Sequence, residues 1–142
     1  MLKNIPRMMP PELMKAMLEM GHGDELLLCD GNYPKFGCPE RCVRMDGYGI
    51  SEILDMILTF FPLDTYVKHP TTLMAVLEGD TYKPEIWDAY RAIGMRHEKE
   101  GLREEAVEKP MFYEKGRHCY VCVATGESAL YANVILKKGV VK

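Results

Sequence analysis

A chain of 142 residues is long enough to bury a core without staples, and a composition 47% hydrophobic and 27% charged is that of an ordinary globular protein. A net charge of −3 leaves no basic excess to meet a phosphate backbone, which excludes nucleic acid as an expected partner. No apolar run approaches a membrane span or a signal-peptide core, so the expectation is a single domain, residues 1–142, in the cytoplasm.

Pro10-Pro11 followed by Leu13, Met14, Met17 and Leu18 predicts a first helix, with proline in its first turn and Gly21 beyond its end in a left-handed conformation. Glu25 to Asp30, with Leu26 to Cys29 all apolar, predicts a strand covered on both faces, and Asp30 to Pro34 a loop leaving its C-terminal end. Lys35 to Cys42 is irregular and Val43 to Met45 a short strand. A second helix follows, capped by Ser51 and presenting Ile53, Leu54, Met56, Ile57 and Leu58. Thr72 to Val76 predicts another buried strand, and Pro84 opens a long helix through Trp87, Tyr90, Ile93 and His97 that Gly101 stops. Glu98 to Glu108 is charged enough to be a solvated face and loop. A turn or two of helix over Pro110 to Arg117, a strand over His118 to Ala124 and a last strand over Asn133 to Lys137 complete the chain. Helices alternating with short buried strands predict a layered α/β/α fold on a mostly parallel or mixed sheet, with ligands at strand C-terminal ends.

Five cysteines, an odd number, point to reduced thiols. A zinc site from Cys38, Cys42, Cys119 and Cys122 is disfavoured, because Cys119 and Cys122 three apart on one strand face opposite ways and no turn residue lies between them. No metal is expected.

Gly21-His22-Gly23-Asp24 sets an imidazole between two glycines at the entry to the first strand. Imidazole is the side chain that most readily takes and returns a proton near neutral pH; the plainer reading is a capping turn. Asp30 closes the same strand, and Tyr131-Ala132-Asn133 enters the last. Each alone suits a cap, a rim aromatic or a turn; together they form an acid/base and neutral hydrogen-bonding set of the kind a small polyol needs, with no phosphate-binding glycine loop. The aromatic residues Tyr33, Phe36, Tyr48 and Tyr66 are candidates for subunit contacts, with core packing the plainer reading, and Tyr33, Phe36 or Tyr48 for stacking on a sugar face.

These motifs, with Met1-Leu2-Lys3, Pro11-Glu12-Leu13, Asp46-Gly47, Glu78-Gly79-Asp80, Phe112-Tyr113-Glu114, Thr125-Gly126-Glu127 and the run from Tyr131 to Val140, carry a resemblance over nearly the whole chain. The sequence is similar to the sugar mutarotase family of L-fucose mutarotases and D-ribose pyranases, and more to its fucose branch. The resemblance implies that His22 is the proton donor, that Asp30, Tyr131, Ala132 and Asn133 contact sugar, and that Lys109 is a further substrate contact. Lys109 stands where the family carries arginine or histidine, and Ala132 where many fucose relatives carry glycine. The resemblance also implies a homo-oligomer, commonly a ring-based decamer, with sites shared between subunits. The implied chemistry is anomer exchange of a free monosaccharide, L-fucose foremost, by ring opening and reclosure. His22 and Tyr131 are the catalytic candidates and no cofactor is required. The alternatives are a D-ribose pyranase and a non-catalytic sugar-binding protein that uses Asp30, Tyr131 and Asn133 without needing His22.

Overall fold

Strict alternation of side chains across the central strands decides where everything else packs. The computed structural model describes residues 1–142. In chain order it places α1 (Pro11–Glu19), β1 (Glu25–Cys29), a 3-10 turn at Lys35–Gly37, β2 (Cys42–Met45), α2 (Ile50–Leu58), β3 (Thr71–Met74), α3 (Glu85–His97), β4 (Glu104–Val107), α4 (Lys109–Arg117), β5 (Val121–Thr125) and β6 (Val134–Lys137). Leu26 and Leu28 of β1, Val121 and Val123 of β5, and Val134 and Leu136 of β6 face a large core shared with α1, α2 and α3. Leu27, Cys29, Cys122, Ala124 and Ile135, one position out of phase, face a smaller core with Phe112 of α4. The result is the layered α/β arrangement expected from the sequence, with helices on both faces of the sheet.

The six strands lie in the order β2-β5-β1-β6-β3-β4. β2, β5 and β1 are mutually parallel, as are β3 and β4, and β6 runs antiparallel to both of its neighbours. Five strands therefore end at the same edge of the sheet, and β6 begins there. The loop after β1, the segment before β6 and the segments after β3 and β4 are gathered at that edge.

Several local expectations give way to longer-range pairing. β4 lies inside the charged stretch read as loop: it is an edge strand pairing Thr71–Met74 in parallel, and its Glu105 and Ala106 remain exposed. Ser51 sits inside the first turn of α2. The N-cap is Gly49, whose N–H donates to Glu52 Oε1 at 2.9 Å, while the Ile50 N–H donates to Glu127 Oε1 at 3.0 Å. α1 ends at Glu19 with an extended Met20, and the left-handed residue of the turn is Gly23 at φ +89°, not Gly21. Cys119 precedes β5, so the opposite-faces argument fails: Cys119 and Cys122 both enter the smaller core.

Candidate active site

A hollow of about 260 Å³ opens at the edge where the parallel strands end. Its polar lining comes from Asp30, Asp80, Lys109, Tyr131 and Asn133, and Met74, Leu77 and Leu130 supply an apolar wall. Larger hollows lie elsewhere: one of about 520 Å³ beside Asp24, Arg41 and Tyr120, and an apolar groove of about 870 Å³ along α1 and the N-terminal residues. The first is strongly charged, with Glu25, Glu40, Arg117 and His118 also lining it, but neither contains Asp30, Tyr131 or Asn133.

Of the polar groups at the small hollow, Asp30, Asp80, Tyr131 and Asn133 are held in hydrogen bonds. The Asn133 Oδ1 accepts the Asp30 backbone N–H at 2.7 Å, and an Asp30 carboxylate oxygen accepts the Asn32 N–H at 2.9 Å. Burial raises the Asp30 carboxyl above its ordinary range, against the pull of the Asn32 amide and the Asn133 side chain. Tyr131 stands in the left-handed region at φ +57°, an uncommon conformation for an aromatic residue, and two hydrogen bonds from α3 hold its segment there. Trp87 Nε1–H donates to the Tyr131 carbonyl at 2.8 Å, and the buried Tyr90 hydroxyl donates to the Ala132 carbonyl at 2.6 Å. The Tyr131 ring stacks on Tyr82 at 6.0 Å, and its hydroxyl donates to Asp80 Oδ2 at 2.6 Å. That bond raises the phenol's pKa and lowers the carboxyl's. The phenol oxygen keeps acceptor capacity while its proton points to a carboxylate.

Lys109, at the start of α4, lines the hollow with its Nζ 5.8 Å from the Tyr113 ring centre. Ala132 does not line it. That residue is fully buried, its methyl packs in the larger core and its carbonyl is taken by Tyr90.

His22 is not in this hollow. It precedes β1 whereas Asp30 follows it, so the five residues of the strand, at about 3.3 Å each, place the two at opposite edges of the sheet. There its Nε2 lies 3.0 Å from Asp64 Oδ1 and its ring 5.2 Å from that of Tyr66, with the side chain 45% exposed. The Gly23 N–H donates to the Lys138 carbonyl at 2.8 Å and Asp24 Oδ2 accepts the Gly21 N–H at 2.7 Å, which pins the turn to the end of β6. Asp64 is buried, and its Oδ1 also accepts the Tyr66 N–H at 3.0 Å. Burial works to raise the Asp64 carboxyl, but the Tyr66 amide and His22 outweigh it and hold it below the ordinary range.

Within one chain, then, Asp30, Lys109, Tyr131 and Asn133 come together, and His22 stands apart with a carboxylate partner. Asp64, Asp80, Trp87 and Tyr90 were not singled out from sequence. Asp80 carried a signal, since Glu78-Gly79-Asp80 follows a strand C-terminus; Asp64 carried none, its tie to His22 spanning 42 positions.

An α/β sheet whose strand ends hold a small hollow with a carboxylate, an amide and a carboxylate-bonded phenol has the form of a binding protein for a small polyhydroxy molecule. The chain belongs to the RbsD / FucU transport protein family, whose model matches residues 3–141. It is 39% identical over 140 residues to an L-fucose mutarotase of Actinobacillus pleuropneumoniae, covering 99% of this chain and 97% of that protein. It matches the crystal structure of the fucose mutarotase of Streptococcus pneumoniae in complex with L-fucose at a TM-score of 0.93 and 45% identity, over 99% of this chain and 100% of that one. FucU of Bifidobacterium longum matches at a TM-score of 0.93 and 49% identity, with the same coverage.

Proposed function

We propose that this chain is an isomerase that exchanges the α and β anomers of L-fucose by opening and reclosing the pyranose ring, and that residues 1–142 act as one mutarotase domain. The observation that carries this reading is the convergence of Asp30, Asn133 and the Tyr131–Asp80 pair on one hollow of about 260 Å³, a volume suited to a single monosaccharide. Full-length kinship with fucose mutarotases supports the substrate. The apolar wall of Met74, Leu77 and Leu130 suits the methyl group of a 6-deoxy sugar and has no counterpart to meet on ribose.

Ring opening needs a proton removed from the anomeric hydroxyl and one delivered to the ring oxygen. The anomeric proton passes to the Tyr131 oxygen as the phenol proton moves toward Asp80, and His22 delivers the second proton, held in orientation by Asp64. C1 then turns about the C1–C2 bond, and reclosure runs the same transfers backward. Asp30, Asn133 and Lys109 hold the remaining hydroxyls. Because His22 lies at the far edge of its own sheet, the His22–Asp64 dyad of one copy serves the hollow of the next. The active form is a homo-oligomer, a ring of ten in our proposal. All five cysteines are free thiols, which suits a reducing cytoplasm.

Saturation-transfer NMR on L-fucose and D-ribose tests the activity: faster anomer exchange of fucose is expected, and exchange no faster than in buffer overturns the reading. A mixing experiment tests the shared site. His22→Ala and Tyr131→Phe are each expected to be inactive alone. After dissociation and random 1:1 reassembly, about a quarter of the sites pair two intact halves and activity returns to that fraction of wild type. No recovery rules out sharing.

A further inference from the structure

Behind the sugar hollow, on the smaller-core face of the sheet, lies a cluster of sulfur atoms with which it shares no side chain. The Sγ atoms of Cys29, Cys38 and Cys122 all lie within 4.8 Å of one another. They come from three separate segments: the last residue of β1, the residue after the 3-10 turn, and the second residue of β5. Cys122 pairs in register with Cys42 of β2. We propose that Cys29, Cys38 and Cys122 form a binding site for a thiophilic d10 cation, with monovalent copper best matched to the three sulfurs.

The spacing supports this directly. With metal–sulfur bonds of about 2.3 Å, three sulfurs around one ion sit about 4 Å apart, so the cluster needs to draw in by under about 1 Å. Cys38 is free to make that shift, because it follows a short turn and is only half-buried, whereas Cys29 and Cys122 are fixed in buried strands. The same exposure of Cys38 gives an entry path. Soft thiolates select copper(I) and zinc over harder cations. Zinc, which prefers four ligands, would draw on Cys42 as its fourth. Lys35 and Arg44 lie close enough to the Cys42 thiol to offset part of the thiolate charge.

Binding carries a proton balance. Each sulfur that ligates as thiolate loses its S–H proton to solvent, and affinity rises about tenfold per pH unit for each proton displaced. Cys119 is also buried, but its thiol is directed to the Lys115 carbonyl at 3.5 Å and it stands outside the triad, which makes it the internal control.

The test uses the full-length protein, anaerobic and reduced, titrated with copper(I) against a competing chelator and separately with zinc(II). One ion per chain is expected in wild type and Cys119→Ser, with the half-exposed Cys38 alkylated more slowly once the ion is bound. Cys38→Ser, at a half-exposed loop position, and Cys38→Ala should both stay folded by circular dichroism and lose affinity by about tenfold or more. Cys42→Ser separates the two ions, since zinc binding weakens with it and copper binding does not. Equal affinity in Cys38→Ser and wild type, alkylation of Cys38 as fast with the ion as without it, or no ion of either kind surviving the chelator overturns the site.

Discussion

Asp30 and Asp64 titrate in opposite directions, and each sign has a consequence. The folded-state pKa of Asp30 is raised above 3.8, so its ionised form opposes folding as the pH climbs through that value and beyond, and at neutral pH the cost is in place. Asp30→Asn removes the charge and keeps an oxygen for the Asn32 amide. It is expected to melt at or above the wild-type temperature at pH 7 while kcat/KM falls roughly 10- to 100-fold, the loss of a charged hydrogen bond of about 1.5–3 kcal/mol. A clearly lowered melting temperature would show that Asp30 holds the loop together and does not merely bind. Asp64 is the reverse case. Its pKa is depressed below 3.8, so its stabilisation is present above that value and is lost as acid takes the pH through the folded-state pKa. Asp64→Asn should flatten the acid limb of a stability-against-pH curve and lower kcat by roughly 10- to 100-fold through loss of the partner that orients His22. Unchanged turnover in that variant would remove Asp64 from the dyad.

At the scale of the element, α3 supports the site without entering it, because its Trp87 and Tyr90 bind the carbonyls of Tyr131 and Ala132. Trp87→Phe deletes one of these bonds at a cost of about 1 kcal/mol, roughly 2–4 °C in melting temperature, and frees a left-handed Tyr131 to move. Kinetics should show kcat falling more than KM rises, whereas a change in neither would relieve α3 of this role. Gly116 of α4 is a second such point: a Cβ there would lie 2.5 Å from the Gly37 carbonyl and against the Tyr33 hydroxyl. Gly116→Ala should therefore displace the 3-10 turn and cost about 1–3 kcal/mol, read by denaturant titration. The strands were legible in sequence where burial on both faces writes an unbroken apolar run, as from Leu26 to Cys29. β4 was not, since an edge strand that keeps Glu105 in water reads as solvated chain and is defined by a partner more than 30 residues away. In the site, Asp30, Tyr131 and Asn133 were legible from their places at strand boundaries. The separation of His22 was not, because a residue next to a strand in sequence does not announce at which edge of the sheet that strand begins.

For the whole molecule, an apolar groove of about 870 Å³ runs along α1 and the N-terminal residues, where Leu2 and Leu18 are each 78% exposed. A patch of that kind is a subunit contact in our proposal. Leu18→Glu is expected to shift the protein to smaller species in sedimentation and to lower activity per chain with the hollow itself untouched; an unaltered distribution would move the contact elsewhere. The lone antiparallel strand, β6, has a larger consequence. Its first residue follows Asn133, and Lys138, just past its last, is bonded to the His22 turn, so in the proposed mechanism a single rigid rod carries a receptor at one tip and a proton source at the other. Copies stacked tip to tip in an open row would always leave one receptor unserved and one imidazole idle, a deficit that vanishes when the row closes on itself. Turnover per chain should then fade on dilution as closed assemblies come apart, even though every fold stays intact.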